Sequence, residues 1–202
     1  MTRHSHKQRN AQRTIILMFV LALLPILLAL LFYCNPQWIG RYKNYGTLIV
    51  PPVQLADGEL TPLGAFSKQH FSELDGRWLF IHVVPRLSST CDEACLKSVY
   101  NSHQLWLMLN QNLMRIRRLV VFADAEAGGK VMSAINDPYL LYAVAGKTLF
   151  QALSESIPAP LISGTVVLRD PLGNVMLWYN RDFDSYKVKK DLSRLFRTSR
   201  VG

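Results

Sequence analysis

The sequence predicts a mixed α/β fold, a roughly four-stranded sheet with flanking helices, preceded by one transmembrane helix. Three observations lead there. A stretch of twenty residues near the N-terminus carries no charge, two later apolar runs have the length of buried strands, and a turn sequence joins two further strand-like runs ahead of an amphipathic C-terminal segment. Composition sets the outer limits. The 202 residues hold 23 Lys+Arg against 14 Asp+Glu, a net charge of +9, and half of them are hydrophobic while only 18% are charged. That length allows one domain with an appendage. The apolar fraction excludes disorder as the main state, and three cysteines are too few for a disulfide scaffold or a zinc ribbon.

Thr14 to Tyr33 is the uncharged stretch, and twenty helical residues span roughly 30 Å, the hydrocarbon thickness of a bilayer. Pro25 falls mid-span, where membrane helices tolerate a kink. Arg3, Lys7, Arg9 and Arg13 precede it without an acidic residue, and only Arg41 and Lys43 follow closely. The positive-inside bias places the leader 1–13 in the cytoplasm and the rest of the chain across the inner membrane. The run exceeds a signal-peptide core, and no small-residue cleavage site follows. Phe32-Tyr33 stand where a lipoprotein signal needs small residues before Cys34. The span is therefore expected to stay as a single-pass anchor, with Cys34 ending it and Tyr33, Trp38, Tyr42 and Tyr45 suited to the interface. Setting the four leader cations aside leaves 19 basic against 14 acidic residues. A modestly basic exported domain is no nucleic-acid binder.

Residues 34–75 read as a tether and lead-in, with turn signals at Asn35-Pro36, Tyr45-Gly46, Pro51-Pro52 and Asp57-Gly58. The domain is expected over 76–202. Trp78–Val84 is a nearly continuous apolar run, the mark of a strand buried on both faces, and Pro85 ends it. Thr90 and Glu93 fit a capping box, opening a helix to about Met114 with Leu96, Val99, Trp106 and Leu113 on one face. Leu119–Phe122 is a second buried strand, closed by Ala123-Asp124. Asp137-Pro138 opens a second predicted helix through Leu141, Val144, Leu149 and Leu153. Thr165–Leu168 and Val175–Tyr179 are strands joined by the turn Asp170-Pro171-Leu172-Gly173. A last helix starts at Asp184 or Ser185 and lines up Val188, Leu192, Leu195 and Phe196. The order β-α-β-α-β-β-α needs one parallel crossover and ends on an antiparallel hairpin. That is the thioredoxin-like arrangement, whose reactive site lies where the first core strand passes into the first helix.

Cys91 and Cys95 occupy that place. Cysteines at i and i+4 on a regular helix have Cα atoms about 6 Å apart, near the upper end for a disulfide. With Cys91 at the first helical position, a small distortion would let the two bridge. The helix N-terminus favours a thiolate at Cys91, while the carboxylates of Asp92 and Glu93 oppose it. A five-residue loop removes little chain entropy, so stability alone is a weak reason for a bridge here.

The anchor, the GRWLFIHVV strand, the CxxxC at the helix start and the VVLRDPLGNVMLWY hairpin together resemble the Sco/SenC proteins of cytochrome c oxidase assembly, over roughly residues 45–200. The resemblance implies a thioredoxin-like fold and copper bound by two cysteines and a distant histidine. It also implies a part in maturing the oxidase's dinuclear copper centre, or in thiol–disulfide reduction of that centre's cysteines. Two departures limit it. The family's C-P-x-x-C-P stands here as C-D-E-A-C-L, and the family's histidine position falls near Ile162, with no histidine anywhere after His103. Only Cys91 and Cys95 carry over, as catalytic cysteines and as the only transferred copper ligands. His103 reads as a satisfied, partly buried side chain. So does His82, although its strand lies close to the pair. Two thiolates alone can hold Cu(I), a soft ion.

No hydrolase, P-loop, zincin or dinucleotide motif occurs. Lys187, Lys189, Lys190, Arg194, Arg197 and Arg200 give the last helix a basic face, suited to solvent, anionic lipid or an acidic partner. The sequence therefore points to a membrane-anchored thiol–disulfide protein of cytochrome c oxidase assembly, periplasmic in its C-terminal domain. Its expected partners are an oxidase subunit or other assembly factors, and inner-membrane lipid. Cys91 would attack a partner disulfide and Cys95 would resolve the mixed disulfide. A Cu(I) metallochaperone using the same cysteines, and an adaptor with a structural bridge, are the alternatives.

Overall fold

The computed structural model describes residues 3–35, 44–86 and 91–199. The chain divides into two units, 1–43 and 44–202. In the first, helix α1 (Arg3–Cys34) runs through Pro25, and its Ile15–Cys34 portion is long and apolar enough to cross a membrane, with none of that stretch buried. The helix begins eleven residues before the expected span, because the polar leader continues the same helical path.

The second unit is built on a mixed seven-stranded sheet in the order β1-β7-β6-β3-β4-β5-β2. The strands are β1 (Thr47–Gln54), β2 (Leu60–Pro62), β3 (Trp78–Val84), β4 (Ile116–Phe122), β5 (Leu141–Ala145), β6 (Thr165–Arg169) and β7 (Asn174–Tyr179). The helices are α2 (Ala65–His70), α3 (Glu93–Leu107), α4 (Ala125–Ala134), α5 (Lys147–Ser156) and α6 (Ser185–Thr198). All seven residues of β3 are buried, as its apolar run requires. It pairs parallel with β4 and antiparallel with β6, and the expected hairpin is β6–β7. Odd-numbered β3 side chains Leu79, Ile81 and Val83 pack with Leu149, Phe150 and Leu153 of α5. Even-numbered Trp78 and Phe80 pack with α3 and α6 through Leu105, Trp106, Val188, Leu192 and Phe196. Every buried apolar side chain among the described residues lies at Ile49 or beyond, so the second unit closes its core without the first.

Four expectations differ from this architecture. The sheet has seven strands, not about four, because residues 44–75, read as tether and lead-in, supply both edges: β1 pairs with β7 and β2 with β5. Pro51 and Pro52 obscure β1 as a strand, yet an edge strand has one ladder without a partner and accommodates proline. The predicted second helix from Asp137 is in fact strand β5 followed by α5. Its LYAVA run suits either structure locally, and pairing with β4 decides for the strand. Helix α4 is an element the sequence does not announce, because Gly128-Gly129 weaken its helical signal. Gly128 packs under Phe122 and Leu63, where a Cβ would approach the Leu63 Cδ2 to 2.5 Å. Finally α3 stops at Leu107, not Met114, and residues 110–115 form a 3-10 turn that opens on Asn110 at φ 47°.

His82 is the fully buried polar residue in the middle of β3, facing α3. Its Nδ1 lies 3.2 Å from the Ser98 hydroxyl and its Nε2 2.8 Å from the Ser102 hydroxyl. Ser98 donates its hydrogen to the Gly164 carbonyl at 2.9 Å. Ser102 donates to the Val99 carbonyl, 2.7 Å away, and accepts from Arg118 at 3.3 Å. Arg118 is ion-paired with Asp137, which also receives His103 at 2.9 Å. Burial, with the Arg118 charge adding, pushes the His82 pKa down to about 3.

Where the chain enters the domain, the amides of Tyr45 and Gly46 both donate to Asp191 Oδ2 of α6 at 2.9 Å. Asp191 is only 3% exposed. Removing the acceptor strands two amides, so Asp191→Ala should cost about 3 kcal/mol. That corresponds to a fall in Tm of roughly 6–12 °C for a domain of this size, read by thermal unfolding, with Asp191→Asn losing less. For His82 the unfolded chain binds a proton below about pH 6.5 and the folded chain does not until about pH 3. Stability is therefore lost on acidification through that window, at about 1.4 kcal/mol per pH unit. Urea unfolding of wild type and His82→Gln at pH 7 and pH 5 should differ in their acid sensitivity by about 2 kcal/mol, the variant being the less sensitive.

Candidate redox site

β3 ends at Val84, and the chain re-enters the described residues at Cys91, one position before α3 is capped. The cap is Asp92, whose Oδ1 accepts from the Cys95 amide at 2.9 Å. The expected cap, Thr90, lies outside the described residues. A carboxylate one turn before Cys95 satisfies an N-terminal amide and complements the helix dipole, so the helix begins at Glu93. This moves Cys91 off the helix. Released from helical geometry, its Cα lies 5.1 Å from that of Cys95, and the two sulfurs form a disulfide.

The two cysteines are unequal. Cys95 is fully buried, in a cluster with Val84, Val99, Val120 and Phe122, while Cys91 is half-buried at the edge of the same cluster. Over Cys95 lies Gly164, at φ +86°, bound through its amide to the Val83 carbonyl at 3.1 Å. A Cβ at that position would come within 2.8 Å of the Cys95 Cα and 3.2 Å of the Arg181 Cβ. Gly164 is therefore required twice, by its backbone conformation and by the close approach. Arg181, in the turn after β7, donates from Nη1 to Asp92 Oδ2 at 2.9 Å. The carboxylate expected to crowd a Cys91 thiolate is thus engaged on one oxygen by the helix and on the other by a guanidinium.

The structure brings Cys91 and Cys95 together and leaves the histidines elsewhere. Both ring nitrogens of His82 are occupied by serine hydroxyls, and His103 faces Asp137 and Arg118. Ile162, at the family's histidine position, precedes the Ser163-Gly164 turn that covers Cys95, and it offers only hydrocarbon. Among the described residues no cluster of three or more His, Cys, Asp or Glu side chains is placed to hold a metal ion. A copper ion held by two cysteines and a histidine does not fit this donor set. Cys34, the remaining cysteine, is free and exposed at the end of α1.

Three contributors escaped the sequence reading. Asp92 carried a usable signal, an N-cap residue beside the pair. Gly164 carried a faint one, a lone glycine just ahead of a strand. Arg181 carried none, since its partner lies 89 residues away.

A family model described as the transmembrane-like, thioredoxin-like, C-terminal domain matches residues 78–199. No curated protein matches the chain. Among solved structures it is similar to the apo Sco1 protein from Thermus thermophilus, at 17% identity over 75% of this chain and 96% of that one, with a TM-score of 0.48. It is similar to Arabidopsis thaliana ScoI with copper bound, at 12% identity over 71% of this chain and 100% of that one, with a TM-score of 0.48. The thioredoxin domain of a thiol-disulfide oxidoreductase from Bacteroides vulgatus gives 13% identity over 74% and 96%, with a TM-score of 0.47. The family match opens on the first residue of β3 and closes one residue after α6, so it contains the disulfide, Gly164 and Arg181. The chain belongs to the family of transmembrane-like proteins with a thioredoxin-like C-terminal domain.

Proposed function

We propose that this chain is a membrane-anchored thiol–disulfide exchange protein acting in cytochrome c oxidase assembly, with Cys91 and Cys95 as its reacting pair. The observation that carries the chemistry is the inequality of the two sulfurs at a strand-to-helix junction: one reachable, the other sealed behind it. The assignment to oxidase assembly is supported by the sequence resemblance to Sco/SenC proteins. The charge pattern around residues 14–33 supports an inner-membrane anchor with the domain on the periplasmic side.

In the reduced protein the Cys91 thiolate attacks one sulfur of a partner disulfide. A Cys91–partner bond forms and the partner's other sulfur leaves as a thiolate. The Cys95 thiolate then attacks the Cys91 sulfur, closing the bridge and releasing the partner's first sulfur. Two electrons pass from the pair to the partner, and a dithiol donor returns the pair to its starting state. Cys95 is fully buried and bonded to Cys91, which suits it to be the resolving group. The Asp92–Arg181 ion pair keeps the nearest carboxylate bound while negative charge develops on sulfur.

The test uses the segment 44–202, purified reduced and without oxygen. Its pair should equilibrate with glutathione or dithiothreitol buffers at a potential of about −180 to −270 mV. Offered a peptide disulfide, Cys95→Ser should accumulate a mixed disulfide through Cys91, and Cys91→Ser should accumulate at least about tenfold less, as mass spectrometry would read. Tight stoichiometric Cu(I) binding abolished by Cys91→Ser would overturn the exchange reading in favour of copper delivery. A potential below about −300 mV, inert to both buffers, would make the bridge structural.

A further inference from the structure

Helix α6 has two sharply different faces. Val188, Leu192 and Phe196 are buried on one. On the other, Lys187, Lys190, Arg194 and Arg197 are exposed at spacings of three, four and three residues, which aligns them in one stripe. Tyr186, 70% exposed, stands at the stripe's edge. The charges near it are few: Asp184 caps the helix, Asp182 is exposed in the preceding turn, and the buried Asp191 lies 3.9 Å from Arg194. At the helix C-terminus Arg115 adds a further cation, bound to the carbonyls of Phe196 and Ser199.

We propose that this basic stripe of α6 docks on the anionic phospholipid head groups of the membrane that holds the anchor. Charge complementarity and chain length together favour this occupant. The Tyr45 and Gly46 amides are fastened to Asp191 in the middle of α6, and the Lys187 ammonium lies 5.3 Å from the centre of the Tyr45 ring. The domain's first residues and its basic helix are therefore one surface. Only residues 35–43 separate Cys34 from that surface, and nine residues reach at most about 30 Å even when fully extended. Over so short a reach, even a weak intrinsic affinity acts at an effective concentration near the millimolar range. Docking of α6 would hold the domain in a fixed attitude above the bilayer. This proposal goes beyond the thiol chemistry and is independent of it.

The segment 44–202, whose core is self-contained, tests it by cosedimentation with vesicles at millimolar lipid and low salt. Binding is expected to vesicles containing about one-third phosphatidylglycerol and not to phosphatidylcholine alone, with loss at high salt. Replacing Lys187, Lys190 and Arg197 together by Gln should weaken it by more than about tenfold, each charge counting for roughly fivefold. An unchanged circular dichroism spectrum and melting curve would confirm that the variant folds. Lys130→Gln with Lys147→Gln, which removes two exposed charges outside α6, should change binding less than about twofold. The proposal is overturned by equal binding to both vesicle types, by no binding to either, or by equal losses in the two variants. Retention on polyglutamate without binding to vesicles would assign the stripe to an acidic protein and also overturn it.

Discussion

The site depends on the confinement of β3. Flanked by β4 on one side and β6 on the other, and covered on both faces, this strand has no freedom to shift. Its last residues fix two things at once. Val83 holds the Gly164 amide, bringing the loop before β6 down onto the strand's end, and Val84 packs against Cys95 at the first turn of α3. Loop and helix are thereby brought together over one short stretch of strand, and the buried sulfur lies where they meet. Without β3 in place the disulfide would be a local loop closure. With it, one sulfur is sealed and the other is half-buried at the cluster's edge.

A buried polar chain fastens the same three elements from within. From Arg118 on β4 it passes through Ser102, His82 and Ser98 to the Gly164 carbonyl. Such a chain is costly to desolvate and contributes little net stability compared with hydrocarbon of the same volume. Its effect is on specificity. Both ring nitrogens of His82 meet serine hydroxyls of α3, so the helix is held in one register against β3. Asp137, at the other end, balances the charge of Arg118 and ties the segment before β5 into the same network. Burial opposes the Asp137 carboxylate charge, but Arg118 outweighs it and holds its pKa below the ordinary range.

Features set by one stretch of chain were legible in the sequence. The apolar run of β3, the Asp170–Gly173 turn and the capped amphipathic helix α6 each carry their signal within a dozen residues, and each forms where expected. Features decided by distant partners were not. Leu141–Ala145 is a strand because β4 lies beside it, and β1 is a strand in spite of two prolines because β7 offers a free edge. The site divides the same way. The cysteines and their junction could be read directly. Asp92 as cap required weighing one residue against its neighbour Thr90, and the Arg181–Asp92 pair joins turns that only the finished sheet brings together.

The clasp between Asp191 and the Tyr45–Gly46 amides has a consequence in time. The two sides of that contact are 145 residues apart in sequence, and β1 likewise waits for β7, which is nearly as distant. At a synthesis rate of about 5–20 residues per second, the leading strand is made roughly seven to thirty seconds before the helix that fastens it. During that interval β1 has an open edge and Ile49 lacks its cover, so an unfinished domain presents an adhesive strand close behind its anchor. The two prolines in β1 suit this interval, because they spoil the strand as a template for pairing with other chains. The last helix to be made is the one that closes the first segment into the fold.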